Sequence, residues 1–444
     1  MPKCNPRDKC STRCYTVCIF CGDEAQAHPI TYHGFCNAYK GGCMNTDCTL
    51  REEHNIPVQA RVDVLVVGGG VAGVAAAIAA ARMGKKVLLL EKMILLGGLA
   101  TAGYVVIYLP LCDGRGRQLI GGISEEMLWA SIHHSYDSLP EPWRQRTRRI
   151  DGTQRYQTVF NGPLFAMRLD DMLLQSGAQV LLDTSVCAVH MEGRRVTHVI
   201  VENADGRSAI ACDTVVDATG DAIVFERMGA RTATGPNYLS YWAYETTLDG
   251  IRAAQQSGNI ADAVRLYTGA ADCNGKGQPP DVPVMHGLTA QHATQMALLG
   301  RREALRHVMG QPQGQAAFTG LPSMNQFRTT RRIVGEQALS FALDGQRCNT
   351  SIGACGDWRR TGVTLEIPYG ALTSPDADNV LAAGRIISCA DREAWEVARV
   401  IPVAAQTGEA AGIAAALAGR NNVHGVSPDA VAEHMHRAGH VIHL

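Results

Sequence analysis

Two sets of residues have the types and spacing to do chemistry. The first is Gly68-Gly69-Gly70-Val71-Ala72-Gly73, with Glu91 18 residues beyond Gly73. Glycines in the pattern G-x-G-x-x-G at the mouth of a helix let an anion reach backbone amides at the positive helix end. Here Gly68 permits the sharp turn, Gly70 admits a pyrophosphate and Gly73 lets the helix sit close on the sheet. Glu91 would accept hydrogen bonds from the adenosine ribose and disfavour a 2′-phosphate, so FAD or NAD is expected and NADP is not. A glycine turn without a ligand is the bland alternative. It loses because strand, glycines, helix, strand and terminal acid follow in order.

The second set is the cysteines, eight of the 15 lying at Cys4, Cys10, Cys14, Cys18, Cys21, Cys36, Cys43 and Cys48. Cys14-x3-Cys18-x2-Cys21 can supply three ligands of a [4Fe-4S] cluster, with a fourth from Cys10, Cys36, Cys43 or Cys48. Alternatively Cys18 and Cys21 join Cys43 and Cys48 around a structural zinc. Thiols or disulfides are the third reading. The iron–sulfur reading leads, because a one-electron relay beside a two-electron cofactor has an evident use.

The elements that must position these groups are legible in part. Val62 to Val67 reads as a buried strand, the Ala-rich segment to Met83 as a helix closed by Gly84, and Lys86 to Leu90 as a second strand. Gly97 to Gly103 is another glycine loop, suited to close approach of a flavin. Asn161 to Gln175 reads as a capped helix with Pro163 near its start. Strands are expected near Val186 to Met191, Arg195 to Glu202 and Ser208 to Cys212, then a separate strand running from Val215 into Ala218-Thr219-Gly220-Asp221. Asn379 to Arg385 is a further strand and turn. The small-residue helix from Val400 to Leu417 can aim its first amides at a flavin carbonyl, which favours flavin over NAD.

Composition bounds the rest. The 444 residues are 46% hydrophobic and 19% charged, with 41 Lys+Arg against 42 Asp+Glu. That is a folded chain with no electrostatic footprint for nucleic acid or an anionic membrane. No transmembrane span or apolar leader is read, so the expected compartment is the cytoplasm, and the cysteine-rich head reads there as a metal or redox centre. A small-molecule substrate is expected, a redox partner protein and a homo-oligomer being further options. The seven cysteines beyond the head are isolated, which disfavours a dithiol mechanism, although Cys348 and Cys355 form a weak pair.

Taken together these motifs resemble the FAD-dependent oxidoreductase family, glutathione-reductase-like flavoproteins related to heterodisulfide reductase A-like and fumarate reductase-like proteins. The resemblance runs from about Val62 to Leu444 and also draws on Gly121-Gly122-Ile123, Thr330 to Ile333, Ile367-Pro368-Tyr369 and Gly408 to Gly412. It implies an α/β fold, with a Rossmann-like FAD domain made of residues 58–103, 161–224 and 365–444. Residues 104–160 and 225–364 would be inserted substrate or cap regions, and 1–57 the cysteine-rich segment. Cofactor contacts are implied at Gly68, Gly70, Val71, Ala72, Gly73, Glu91, Lys92, Gly98, Leu99, Ala100, Thr101, Ala218, Thr219, Gly220, Asp221, Gly384, Arg385 and Val403. The expected activity is hydride transfer at flavin N5 with a small organic substrate. Tyr104, Arg331 and Arg385 are the candidates for the catalytic site. The histidines at His133, His134, His434, His436, His440 and His443 read as structural or exposed.

Overall fold

In a computed structural model, residues 52–272 and 274–444 are described. The expected ligands Cys10, Cys14, Cys18, Cys21, Cys36, Cys43 and Cys48 lie outside the described residues.

The frame is a seven-stranded sheet. Its first strand, β1 (Val58–Val67), leads through the glycine turn into α1 (Val71–Arg82) and then β2 (Val87–Leu90). After α2 (Gly122–Ile132) and α3 (Gly162–Gln175) come β3 (Gln179–Leu181), β4 (Ser185–Glu192), β5 (Arg195–Asn203) and β6 (Gly206–Asp217). The strand order is β3-β2-β1-β6-β5-β4, and β1, β2, β3 and β6 run parallel where they pair. The last three strands form an antiparallel meander. Near-continuous runs such as Val64 to Val67 and Val87 to Leu90 are buried on both faces, as strands covered on both sides must be.

One expectation changes here. Residues 208–212 and 215–217 are not two strands but one continuous β6. Pairing with the first strand continues through this stretch, Val64 standing opposite Thr214, and the buried Thr214 donates its hydroxyl to the Gly419 carbonyl at 2.7 Å, which keeps the chain extended. The start of β6 pairs with β5, while Val215 to Asp217 pair in parallel with a short strand at Val380–Ala382. The turn after Asp217 and the turn after Ala382 therefore leave the same end of the sheet side by side.

Two helices aim at that end. The long C-terminal helix Ile401–Ala418 crosses α1 in backbone contact: a Cβ on Gly408 would stand 2.1 Å from the Ala72 carbonyl oxygen, and one on Gly412 2.2 Å from that of Ala76. Only glycine allows this approach, so the small-residue composition of both helices is a packing requirement. Residues 240–320 lie outside the main sheet, as a three-stranded antiparallel sheet (Ser240–Thr247, Arg265–Ala270, Ala316–Gly320) backed by the helix Ala290–Met309. Among the described residues no single helix is long and apolar enough to cross a membrane.

Candidate functional site

The glycine turn shows two different uses of one residue type. Gly68 has φ +101°, and a Cβ on Gly73 would lie 1.8 Å from the Gly68 carbonyl oxygen, so both positions are fixed by the fold itself. Gly70 is the opposite case. Its φ of −65° suits any residue, and a Cβ there would meet nothing within 4 Å. That open space is part of a cavity of about 640 Å³, within the range of cofactor sites. Gly70 is thus bare toward a space the protein leaves open.

The first turns of α1 and of the helix Ile401–Ala418 both reach the cavity. Both N-termini lack a side-chain cap and an acidic residue in the first turn, although Val71, Ala72, Ile401 and Ala404 line the cavity. First-turn amides left without a protein partner are suited to an anion or a carbonyl oxygen. Of the residues expected at a cofactor, Gly68, Gly70, Val71, Ala72, Glu91, Lys92, Gly98, Leu99, Ala100, Ala218, Thr219, Gly220, Asp221, Gly384 and Arg385 line this one cavity. Segments up to 337 residues apart in sequence meet there (Val67 and Ala404).

Gly73, Thr101 and Val403 are beside the cavity without lining it. Thr101 is buried and donates to the Leu96 carbonyl at 2.5 Å, which closes the Gly97 to Gly103 loop. Val403 is buried in the first turn of its helix.

The carboxylates are held by the protein. Glu91 Oε2 accepts from the Gly69 amide at 2.6 Å and Oε1 from the Met93 amide at 2.9 Å. Glu91 is 6% exposed, so it both locks the glycine turn and faces the cavity. Asp217 is fully buried at the end of β6. Burial pushes its carboxyl up to about 6, although Thr219, Val224 and Phe225 all donate to it and favour the charged form. Asp217 thus caps the short helix Ile223–Arg227 and fixes the turn that carries Ala218 to Asp221.

The candidate catalytic residues separate. Arg385 lines the cavity, but its donors are turned into the protein: Nε to the Gly220 carbonyl at 2.5 Å, Nη1 to the Phe327 carbonyl at 2.9 Å and Nη2 to Asp221 Oδ1 at 2.9 Å. It clamps three segments around the cavity. Arg331 does not line it; its Nη1 donates to the Asp221 carbonyl at 3.3 Å, and neighbouring Thr330 donates to Asp221 Oδ1 at 2.7 Å. Tyr104 also stands off the cavity, in the left-handed region at φ +53°, with its ring 4.6 Å from that of Tyr244. Burial raises its hydroxyl pKa.

Sequence reasoning missed Thr184 to Val186, Arg227, Arg399 and the wall made by Gly287, Ala293, Ser323, Met324, Asn325 and Phe327. Nothing in that wall carries a motif. Its signal is only that the chain there is pinned to the glycine loop: the Ser323 amide donates to the Ala102 carbonyl at 2.9 Å and Gln326 Nε2 to that of Gly103 at 2.5 Å. Among the described residues no group of three His, Cys, Asp or Glu side chains is placed to hold a metal ion. His440 is structural: Nε2 donates to Glu409 Oε2 at 3.0 Å in the core, and Cys348 and Cys355 are unbridged.

No curated protein sequence matches the chain. Among solved structures it is similar to CabE, an aromatic hydroxylase from angucycline biosynthesis, at 16% identity and TM-score 0.44, covering 85% of this chain and 65% of that one. It therefore spans just under two thirds of that protein. It is also similar to p-nitrophenol 4-monooxygenase PnpA from Pseudomonas putida DLL-E4 (13% identity, TM-score 0.45, 86% and 84% covered). A flavoprotein/dehydrogenase from Cytophaga hutchinsonii gives 15% identity, TM-score 0.42 and coverages of 84% and 82%. The model of the family described as FAD dependent oxidoreductase matches residues 63–240 and 287–435, most of the chain. The protein is a member of the FAD dependent oxidoreductase family, an enzyme whose Rossmann-like α/β domain binds FAD.

Proposed function

We propose that the protein oxidises or reduces a small organic molecule by two-electron chemistry at FAD held in the cavity of Gly70. The observation that carries this reading is Gly70 itself, conformationally ordinary yet bare toward a cavity bounded by two uncapped helix N-termini. FAD bound there supplies a hydride acceptor or donor at N5. The protein's share is positioning. Amides of Val71 and Ala72 hold the pyrophosphate, and Glu91 faces the adenosine ribose. The uncapped first turn of Ile401–Ala418 would favour the negative charge that a flavin gains on reduction. The wall of Phe327, Met324 and Ala293, with Ser323 and Asn325 as its polar groups, excludes water and suits a largely apolar substrate with one or two hydrogen-bonding groups.

In the fuller form of this proposal the N-terminal cysteines hold an iron–sulfur cluster that feeds or drains single electrons, on the strength of the Cys14, Cys18, Cys21 spacing. A zinc staple is the alternative, and a reducing cytoplasm is the compartment that suits either.

One preparation tests these statements. Protein purified anaerobically should be yellow and release FAD on denaturation, and stopped-flow mixing with small alcohols, amines, hydroxy acids and phenols should bleach or restore its absorbance with one class. No flavin ends the reading. Flavin that no small molecule reduces or reoxidises leaves an electron-transfer subunit instead. Iron with acid-labile sulfide supports the relay, whereas stoichiometric zinc replaces it.

A further inference from the structure

Arg399 was not expected at the site and is unused by the locks described above. It precedes Val400, the residue that leads into Ile401–Ala418, and it lines the cavity. Its side chain is 11% exposed and that of Glu396, one turn earlier on the helix Arg392–Ala398, is 4% exposed. Arg399 Nε donates to Glu396 Oε2 at 2.8 Å, and Nη2 donates to the same oxygen. Nη1 makes no hydrogen bond among the described residues. This is the difference from Arg385, whose Nε, Nη1 and Nη2 are all taken by Gly220, Phe327 and Asp221. A buried ion pair is costly to desolvate and is a weak device for stability alone. Placed beside an uncapped helix N-terminus, it can instead set a local potential, since charges act strongly on one another where water is excluded.

We propose that Arg399 is the electrostatic residue of the flavin site, and that Glu396 is its positioning partner. Resting on the reading that FAD occupies this cavity, the guanidinium adds to the first-turn amides of Ile401–Ala418 in stabilising the negative charge of the reduced flavin. Glu396 holds the guanidinium in place and cancels part of its charge. The pair thereby tunes how strongly the protein prefers reduced over oxidised FAD.

The test is the midpoint potential of bound FAD, measured with reference dyes on the full chain. Arg399→Gln should lower the preference for reduced FAD about tenfold, a fall of about 30 mV for a two-electron couple. Glu396→Gln leaves the cation uncancelled and should raise the potential by a similar amount. Opposite signs are the signature, because a merely structural pair would shift both variants the same way or neither. Arg399→Lys, which keeps the charge, should stay within about threefold of the parent preference, or about 14 mV. If Arg399→Gln fails to retain FAD, Glu396→Gln and Arg399→Lys carry the test, and a Glu396→Gln potential at or below the parent value overturns the proposal. A parent protein without FAD would refute the underlying reading, whereas a parent with FAD and same-sign shifts would refute only the role of Arg399.

Discussion

Gly70 and Gly73 lie three positions apart and answer to different forces. A Cβ at Gly73 collides with the Gly68 carbonyl, so Gly73→Ala must open the turn between β1 and α1, a destabilisation of about 3 kcal/mol or more. A side chain at Gly70 meets only cavity. Gly70→Val should therefore fold with an unfolding midpoint near that of the parent apoprotein and bind FAD at least about tenfold more weakly, or about 1.4 kcal/mol. Denaturant titration of the apoproteins and fluorescence titration with FAD measure the two effects separately. Equal losses of stability in both variants would show that Gly70 too is a packing glycine.

Some helix ends in this protein are held by side chains distant in sequence. The helix α2 starts at Gly122 with no side-chain cap of its own residues, and its Ile123 amide donates to Glu409 Oε2 at 2.8 Å from the middle of Ile401–Ala418. The same oxygen accepts from buried His440 near the C-terminus. A Cβ on Gly122 would stand 2.5 Å from both Glu409 Oε2 and His440 Nε2, so the glycine pair at 121–122 makes room for this junction. Glu409→Ala strands an amide and an imidazole in the core. It should cost about 3 kcal/mol, and Glu409→Gln, which retains one acceptor, should cost less. Chemical denaturation checks the order; an alanine variant within about 0.5 kcal/mol of the parent would mean that the junction is idle.

The molecule as a whole gathers its glycine turns at one end of one sheet, and the cavity between them crosses from the sheet to the antiparallel insertion. A ligand bridging both parts stabilises the folded state by mass action. Free FAD at about a hundred times its dissociation constant should raise the unfolding free energy of the apoprotein by about 2.7 kcal/mol, and Gly70→Val at the same FAD concentration should lose most of that gain. The shift in denaturant midpoint with and without FAD is the measurement. No shift for the parent would mean that the cavity does not hold the cofactor.

The β1-turn-α1-β2 unit, its glycines and Glu91 were readable in the sequence because their signal is local: a β-branched run, a fixed spacing and an alanine-rich segment lie within 34 consecutive residues (Val58 to Glu91). Asn161 was equally legible as a cap, and its Oδ1 accepts from the Leu164 amide at 2.9 Å. What the tertiary structure alone decided is which polar side chains are already engaged. Arg385 carried a cofactor motif yet gives its donors to the fold, whereas Arg399 carried no motif and keeps Nη1 unbonded among the described residues. The cavity wall at Ser323, Met324, Asn325 and Phe327 was invisible for the same reason. Its place depends on hydrogen bonds to Ala102 and Gly103, more than 200 residues earlier, and pairing over such distances leaves no period in the sequence.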